Sequence, residues 1–277
     1  MGMGNGYSGE AGYRQWRSPE PRCVFLLVHG LGAHSGRWEA MADFFLKKGI
    51  SSYAAELRSF DSTGKADRRA DDFAIYRDKI LRVYDIAAKD NPAKKIFLIG
   101  ESMGALISFL LCVDRPGLFS GLVCISPAFA TRNKVSVPDC IRMLAPLLYN
   151  PGKLFPLPFD SSMCTRDIDY KNKMDQDSRE YRTASSKLIF EILLAQLRAG
   201  SIGKKITTPV LFLSAGEDKI VDTKAATGIF NSMMIKDKKL IEYPGMYHAL
   251  SIDLGKESVF EDISRWIMPR ITPKVAP

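Results

Sequence analysis

Residues 96–113 constrain the fold more than any other stretch. They read IFLIGESMGALISFLLCV: an apolar run, a serine held between Gly100 and Gly104, and a second apolar run from Ala105. The first run has the length of a buried strand, and the second is long enough for a helix. A chain that turns from strand to helix with almost no loop forces its apex residue into a strained backbone conformation. A side chain at either flanking glycine would collide with the neighbouring element. The Gly-x-Ser-x-Gly spacing therefore predicts a nucleophile elbow. Ser102 would project its hydroxyl above the carboxyl ends of the strands, where open α/β sheets hold their ligands.

Strand-like runs recur at RCVFLLV, ISSYAAE, KKIFLIG, SGLVCIS, TPVLFLSAG and KKLIEYPG, with helical spacing between them. Trp38, Met41, Phe44 and Phe45 share one helix face before a stop at Gly49. Phe73, Tyr76, Ile80, Val83, Tyr84 and Ala87 share another, ended by Pro92, and a last helix spans Glu257 to Ile267. Strands with little polar alternation, separated by helices, mean a mostly parallel sheet covered on both faces, the α/β class. Residues 128–205 break the rhythm with clustered prolines and helical fragments, and no strong strand is read there. The chain divides into a first core part (1–127), a mainly helical insertion (128–205) and a second core part (206–277).

A serine hydroxyl needs a base to become a nucleophile. The chain has three histidines, His29, His34 and His248. In hydrolases of this architecture the order is serine, acid, histidine, and only His248 follows Ser102. It sits on a loop behind KKLIEY. The acid fixes the imidazole tautomer and stabilises the imidazolium. VLFLSAGEDKIVD offers Glu217, Asp218 and Asp222. Asp218 is preferred, since it lies close behind the strand end on a short side chain, whereas Asp222 also reads as the cap of TKAATGIF. The oxyanion needs backbone N–H donors, each worth about a hundred- to a thousandfold in rate. Met103, directly after the nucleophile, supplies one. Leu31 in VHGLGAHSGRW supplies the other, where Gly30 and Gly32 permit unusual backbone angles, and His29 braces that loop.

Composition removes several alternatives. The net charge is +8, but Lys and Arg are interleaved with acids, as in KADRRADD. Without an arginine-rich arm or an aromatic RNA-binding signature, no nucleic-acid partner is read. The five cysteines are odd in number and none are spaced as C-x-x-C, which argues against a disulfide framework or a zinc site and for reduced thiols in the cytoplasm. Serine–histidine–aspartate chemistry calls for no metal and no cofactor. MGMGNGYSGEAGYRQW carries no apolar segment of a secretory leader. No apolar run approaches the roughly 20 residues of a membrane span. Nothing in the sequence fixes an oligomeric state.

HGLGAHSGRW, GESMGA, SAGEDKIVD and PGMYHAL, in that order, resemble the monoacylglycerol lipase and lysophospholipase branch of the α/β-hydrolase family, over about Tyr13 to Ile267. The resemblance implies the α/β-hydrolase fold, with a lid inserted after the sixth core strand. It implies Ser102, Asp218 and His248 as nucleophile, acid and base, and Leu31 and Met103 as oxyanion donors. Two departures stand out. Family members carry Asp-x-Arg-Gly-x-Gly-x-Ser after the second parallel strand, whereas this chain reads ELRSFDSTG. Glu56 replaces Asp, and Ser59 and Asp61 replace glycines, so the loop is expected to take another path, while Arg58 is kept and Ser62 supplies a serine beside the motif's own position. Ala105 stands where glycine is common.

Within the insertion, Ile141, Leu144, Leu147 and Leu148 fall on one apolar face, with Met143 beside it. Such a stripe reads as ordinary core, as the lining of an acyl tunnel, or as a surface that touches lipid. Between Thr131 and Lys205 there are 13 Lys or Arg and 8 Asp or Glu, and an apolar face on a basic segment suits an anionic lipid interface. The expected activity is hydrolysis of a small acyl ester (a monoacylglycerol, a lysophospholipid or a similar medium-chain ester) through an acyl-enzyme. The same triad would serve a peptidase, a thioesterase or a plant-ester (feruloyl-type) hydrolase. A free-amine peptidase would need carboxylates in the insertion, where Asp167, Asp169, Asp175 and Asp177 occur. A catalytically idle binding module is the third reading, although such proteins usually lose a triad member or an elbow glycine, and all are present.

Overall fold

Six residues of unbroken burial, Cys23–Val28, form β3 near the middle of an eight-stranded sheet. The computed structural model describes residues 6–8, 12–58, 72–132 and 135–272. Across the sheet the order is β1 (Gly6–Ser8), β2 (Tyr13–Trp16), β4 (Ile50–Ala55), β3, β5 (Ile96–Glu101), β6 (Gly121–Ile125), β9 (Val210–Ala215) and β10 (Lys238–Tyr243). From β4 to β10 every pairing is parallel. Of the two N-terminal strands, which the sequence reading did not find, β2 adds antiparallel to β4 and β1 antiparallel to β2. Ser59, Asp61 and Ser62 of the departing loop lie outside the described residues.

Successive side chains of each central strand feed two different cores. Val24, Leu26 and Val28 of β3 join Leu98, Leu122 and Phe212 on one face. Phe25 and Leu27 join Phe97, Ile99, Val123 and Leu211 on the other. The first face is covered by α2 (Phe73–Asp90), α3 (Met103–Asp114) and α8 (Thr223–Ser232), the second by α1 (Glu39–Leu46) and α9 (Lys256–Ile271). Burying both faces of a parallel sheet requires the near-continuous apolar runs seen in the sequence, each large side chain contributing about 1.5–3 kcal/mol.

Between β6 and β9 the chain builds α4 (Val137–Leu144), a 3-10 turn at Ala145–Leu148, β7 (Leu154–Pro156), α5 (Ser161–Cys164), α6 (Ile168–Gln176), β8 (Thr183–Ser185) and α7 (Ser186–Ile202). β7 and β8 pair antiparallel, two short strands in a stretch whose sequence shows no strong one. Three residues each, one ending in Pro156, are too few to display a period of two. α7 starts on a Ser185 cap, whose hydroxyl accepts the Leu188 N–H at 3.1 Å, and packs on α3. Among the described residues no helix is long and apolar enough to cross a membrane.

Candidate active site

β5 ends at Glu101 and α3 begins at Met103, so Ser102 alone makes the turn, with φ 58° and ψ −122°. That strained conformation is held from several sides. The Ser102 N–H donates to the Ile125 carbonyl at 2.9 Å, and the Ser102 carbonyl accepts from Ala105, Leu106 and Ala128 at 3.0, 3.1 and 3.2 Å. A Cβ at Gly100 would lie 2.5 Å from the Gly104 carbonyl oxygen, and one at Gly104 only 2.2 Å from that of Val28. Both glycines are therefore needed for strand and helix to approach. Ala105 is buried in the core beside them.

The loop after β3 lies directly on the serine. A Cβ at Gly30 would sit 3.0 Å from Ser102 Cβ and 3.6 Å from its Oγ. Gly30 thus serves by close approach, whereas Gly32, at φ +80°, takes the unusual backbone angle. Leu31 is half-buried in the turn that the Ala33 N–H closes onto the Gly30 carbonyl at 3.3 Å. Met103 is the first residue of α3, where N–H groups lack intrahelical partners and the helix dipole favours an anion. His29 is buried, with Nδ1 2.9 Å from the Gly30 carbonyl oxygen and Nε2 3.1 Å from Glu56 Oε1. Glu56 Oε2 accepts the N–H and hydroxyl of Ser35 at 3.0 and 2.8 Å. Burial would raise the Glu56 carboxyl, but the hydrogen bond and charge of His29, with the two bonds from Ser35, hold it below the usual range.

Asp218 follows β9 and is fully buried. Its Oδ1 accepts the N–H groups of Ile220 and Val221, both at 2.9 Å, and its Oδ2 lies 2.8 Å from His248 Nδ1. Burial opposes the charged carboxylate, yet the charge and hydrogen bond of His248 and the two backbone N–H groups prevail and keep it below its ordinary value. Asp222 is occupied as the cap of α8, accepting the Lys224 N–H at 2.9 Å, and Glu217 is exposed. The His248 loop is braced by residues the sequence reading passed over. Asp253 Oδ2 accepts the Tyr247 N–H at 2.8 Å, Cys164 offers its carbonyl to the Ala249 N–H at 2.9 Å, and Glu101 accepts both the N–H and hydroxyl of Ser251. A charged residue ending a strand that must be buried was the available signal for Glu101.

The apolar stripe of the insertion does not form a core face. Ile141 and Leu148 are 63% and 92% exposed, and Met143, Leu144 and Leu147 are half-buried.

Sheet order, elbow and the acid–histidine pair define a serine hydrolase of the α/β-hydrolase fold. A family model described as serine aminopeptidase, S33, matches residues 19–255. Human monoglyceride lipase is 30% identical over 268 residues, covering 93% of this chain and 86% of that protein. In fold, the monoacylglycerol lipase of Paleococcus ferrophilus superposes with a TM-score of 0.81 at 24% identity, covering 93% of this chain and 98% of the other. A soluble variant of the Saccharomyces cerevisiae monoglyceride lipase, bound to a substrate analogue, gives 0.81 at 20% identity over 94% and 92%. The chain belongs to the S33 serine aminopeptidase family, in its monoacylglycerol lipase-like branch.

Proposed function

We propose that the protein hydrolyses monoacylglycerols, lysophospholipids or similar medium-chain acyl esters, with Ser102, Asp218 and His248 as its triad. The observation that carries this reading is the pairing of a strained serine elbow with a histidine whose Nδ1 is held by a buried carboxylate. Ser102 Oγ attacks the ester carbonyl while His248 Nε2 takes its proton. Asp218 keeps the imidazole in the tautomer that can accept it. The N–H groups of Leu31 and Met103 receive the oxyanion, each worth about a hundred- to a thousandfold. His248 then protonates the departing alcohol, and water repeats the cycle on the acyl-enzyme. The relatives named monoglyceride lipase support a glyceryl ester as the substrate class.

Residues 128–205 act in this reading as the lid. Its exposed Val137, Ile141, Leu148 and Leu197 lie on α4, the following turn and α7, and its basic balance favours an anionic lipid surface. The cytoplasmic setting inferred from five free thiols belongs to the same proposal and is tested by cell fractionation. A free-amine peptidase has less support. Asp175 pairs with Arg182, Asp177 pairs with Arg179 and His34, Asp167 caps α6, and Asp169 is exposed on its first turn. The test is a chain-length series of p-nitrophenyl and glyceryl esters, run beside thioester and aminoacyl substrates, with fluorophosphonate labelling. Turnover and labelling should vanish in Ser102→Ala. Preference for an aminoacyl substrate would reverse the assignment.

A further inference from the structure

Glu101 is 5% exposed at the end of a strand buried throughout. A lone buried carboxylate costs stability unless its oxygens find donors. Here they find one residue. Oε1 accepts the Ser251 N–H at 3.1 Å and Oε2 accepts the Ser251 hydroxyl at 2.9 Å. Ser251 is itself 1% exposed and lies three residues beyond His248.

We propose that Glu101 is a positioning residue for the general base: its two-point clasp on Ser251 registers the His248 loop against the strand that delivers the nucleophile. This rests on Ser102, Asp218 and His248 being the triad. Besides the Asp218 bond to His248 and the Glu217 N–H on the Met246 carbonyl, contacts at Tyr247, Ala249 and Ser251 hold the loop. The first comes from Asp253, further along the same segment, and the second from Cys164 in the insertion. The third alone of these comes from the elbow, from the residue bonded covalently to Ser102. Two bonds to two oxygens fix both translation and rotation, so the loop cannot shift without losing one.

The charge has a second effect. An ionised carboxylate in range of His248 stabilises the imidazolium that forms as Ser102 attacks. Among the described residues, the titratable groups in electrostatic reach of Glu101 include His248, Arg37 on the 3-10 turn Ser35–Trp38, and Cys164 and Tyr170 in the insertion. Burial pushes the Glu101 carboxyl upward, against the Ser251 N–H, the charge of His248, the Ser251 hydroxyl and Arg37.

The test measures kcat, KM and the pH profile of kcat/KM on a p-nitrophenyl ester. The variants are Glu101→Ala, Glu101→Gln, Ser251→Ala and the Glu101→Ala/Ser251→Ala double, with thermal midpoints to establish folding and Ser102→Ala as control. Glu101→Ala should lose on the order of a hundredfold in kcat with KM little changed, since a displacement of about 1 Å suffices. Ser251→Ala should lose about two- to tenfold, the worth of one hydrogen bond. Glutamine can accept the Ser251 N–H and donate to its hydroxyl, so Glu101→Gln should recover most of the alanine loss. Its acid limb should move to lower pH, because the charge favouring imidazolium is gone. The double variant should be no slower than Glu101→Ala. Wild-type kcat in folded Glu101→Ala, or losses that multiply in the double variant, overturn the proposal. Should Glu101→Ala not fold, an unmoved acid limb in Glu101→Gln with wild-type kcat in Ser251→Ala overturns it equally. An active Ser102→Ala refutes the triad itself, a result distinct from either.

Discussion

Asp218→Asn exchanges one oxygen for nitrogen and should nearly silence the enzyme. The two carboxylate oxygens have different commitments: Oδ1 takes two backbone N–H groups and Oδ2 takes the imidazole. The asparagine oxygen must stay with the backbone donors. The opposite orientation would leave two buried N–H groups facing an amide NH2, at about 1–3 kcal/mol each. The competent orientation is then populated to about one part in thirty at most, and far less at the upper figure. In the favoured orientation the amide donates to His248 Nδ1, the ring proton moves to Nε2, and the base can no longer accept from Ser102. The precedent for a triad in the wrong tautomer is a fall of about 10⁴ in kcat. Steady-state turnover of a p-nitrophenyl ester should show this fall with KM nearly constant and fluorophosphonate labelling slowed in parallel. A folded variant that loses less than about tenfold, against the 10⁴ precedent, would refute the tautomer argument.

Gly104→Ala drives a methyl within 2.2 and 2.5 Å of the Val28 and His29 carbonyl oxygens, backbone atoms that cannot step aside. Urea denaturation should show a loss at or above the roughly 3 kcal/mol upper range of overpacking, and a loss below about 1 kcal/mol would contradict the elbow geometry. Glu101→Gln should also change stability with pH. Burial raises the folded-state carboxyl of Glu101, so the folded protein holds this proton more tightly than the unfolded chain. The stability it contributes is full below the ordinary carboxylate range and declines as pH rises through the folded value. Glu101→Gln should therefore gain thermal midpoint over wild type at neutral pH while losing that advantage in acid; an equal difference at both would sink the argument. Leu148→Glu, at a residue 92% exposed, should leave stability within about 0.5 kcal/mol yet weaken cosedimentation with anionic vesicles. Unchanged vesicle binding would remove lipid contact from the role of this turn.

The elbow and the sheet were legible for one reason: a strand buried on both faces has no freedom to be polar, so β3, β5, β6 and β9 announce themselves. β2 did not. Arg14 and Gln15 sit half-buried between buried Tyr13 and Trp16, and four residues are too few to reveal alternation. The insertion's apolar stripe was visible, but a sequence cannot say what a helix faces when nothing covalent commits it to a partner. Ile141 and Leu148 turned outward while Met143 and Leu144 turned partly in. Glu56 was noticed only as a departure from Asp. Its bonds to Ser35 and His29 depend on where a loop distant in sequence returns, which local pattern does not encode.

The braces around the site share a chemistry. Loops at the carboxyl ends of strands expose backbone N–H groups that water would otherwise satisfy, and a closed, low-dielectric site excludes water. This chain answers with buried carboxylates. Glu56 takes the N–H of Ser35, Glu101 that of Ser251, Asp218 those of Ile220 and Val221, and Asp253 those of Tyr247 and Arg166. A charged acceptor makes a shorter and roughly twofold stronger bond than a carbonyl does, so each acid fixes its loop more firmly than a main-chain contact could. Two of these acids, Asp218 and Glu101, also lie in electrostatic reach of His248. In the proposed triad those two charges would also favour the imidazolium that forms as Ser102 gives up its proton, so positioning and electrostatic stabilisation would come from the same side chains.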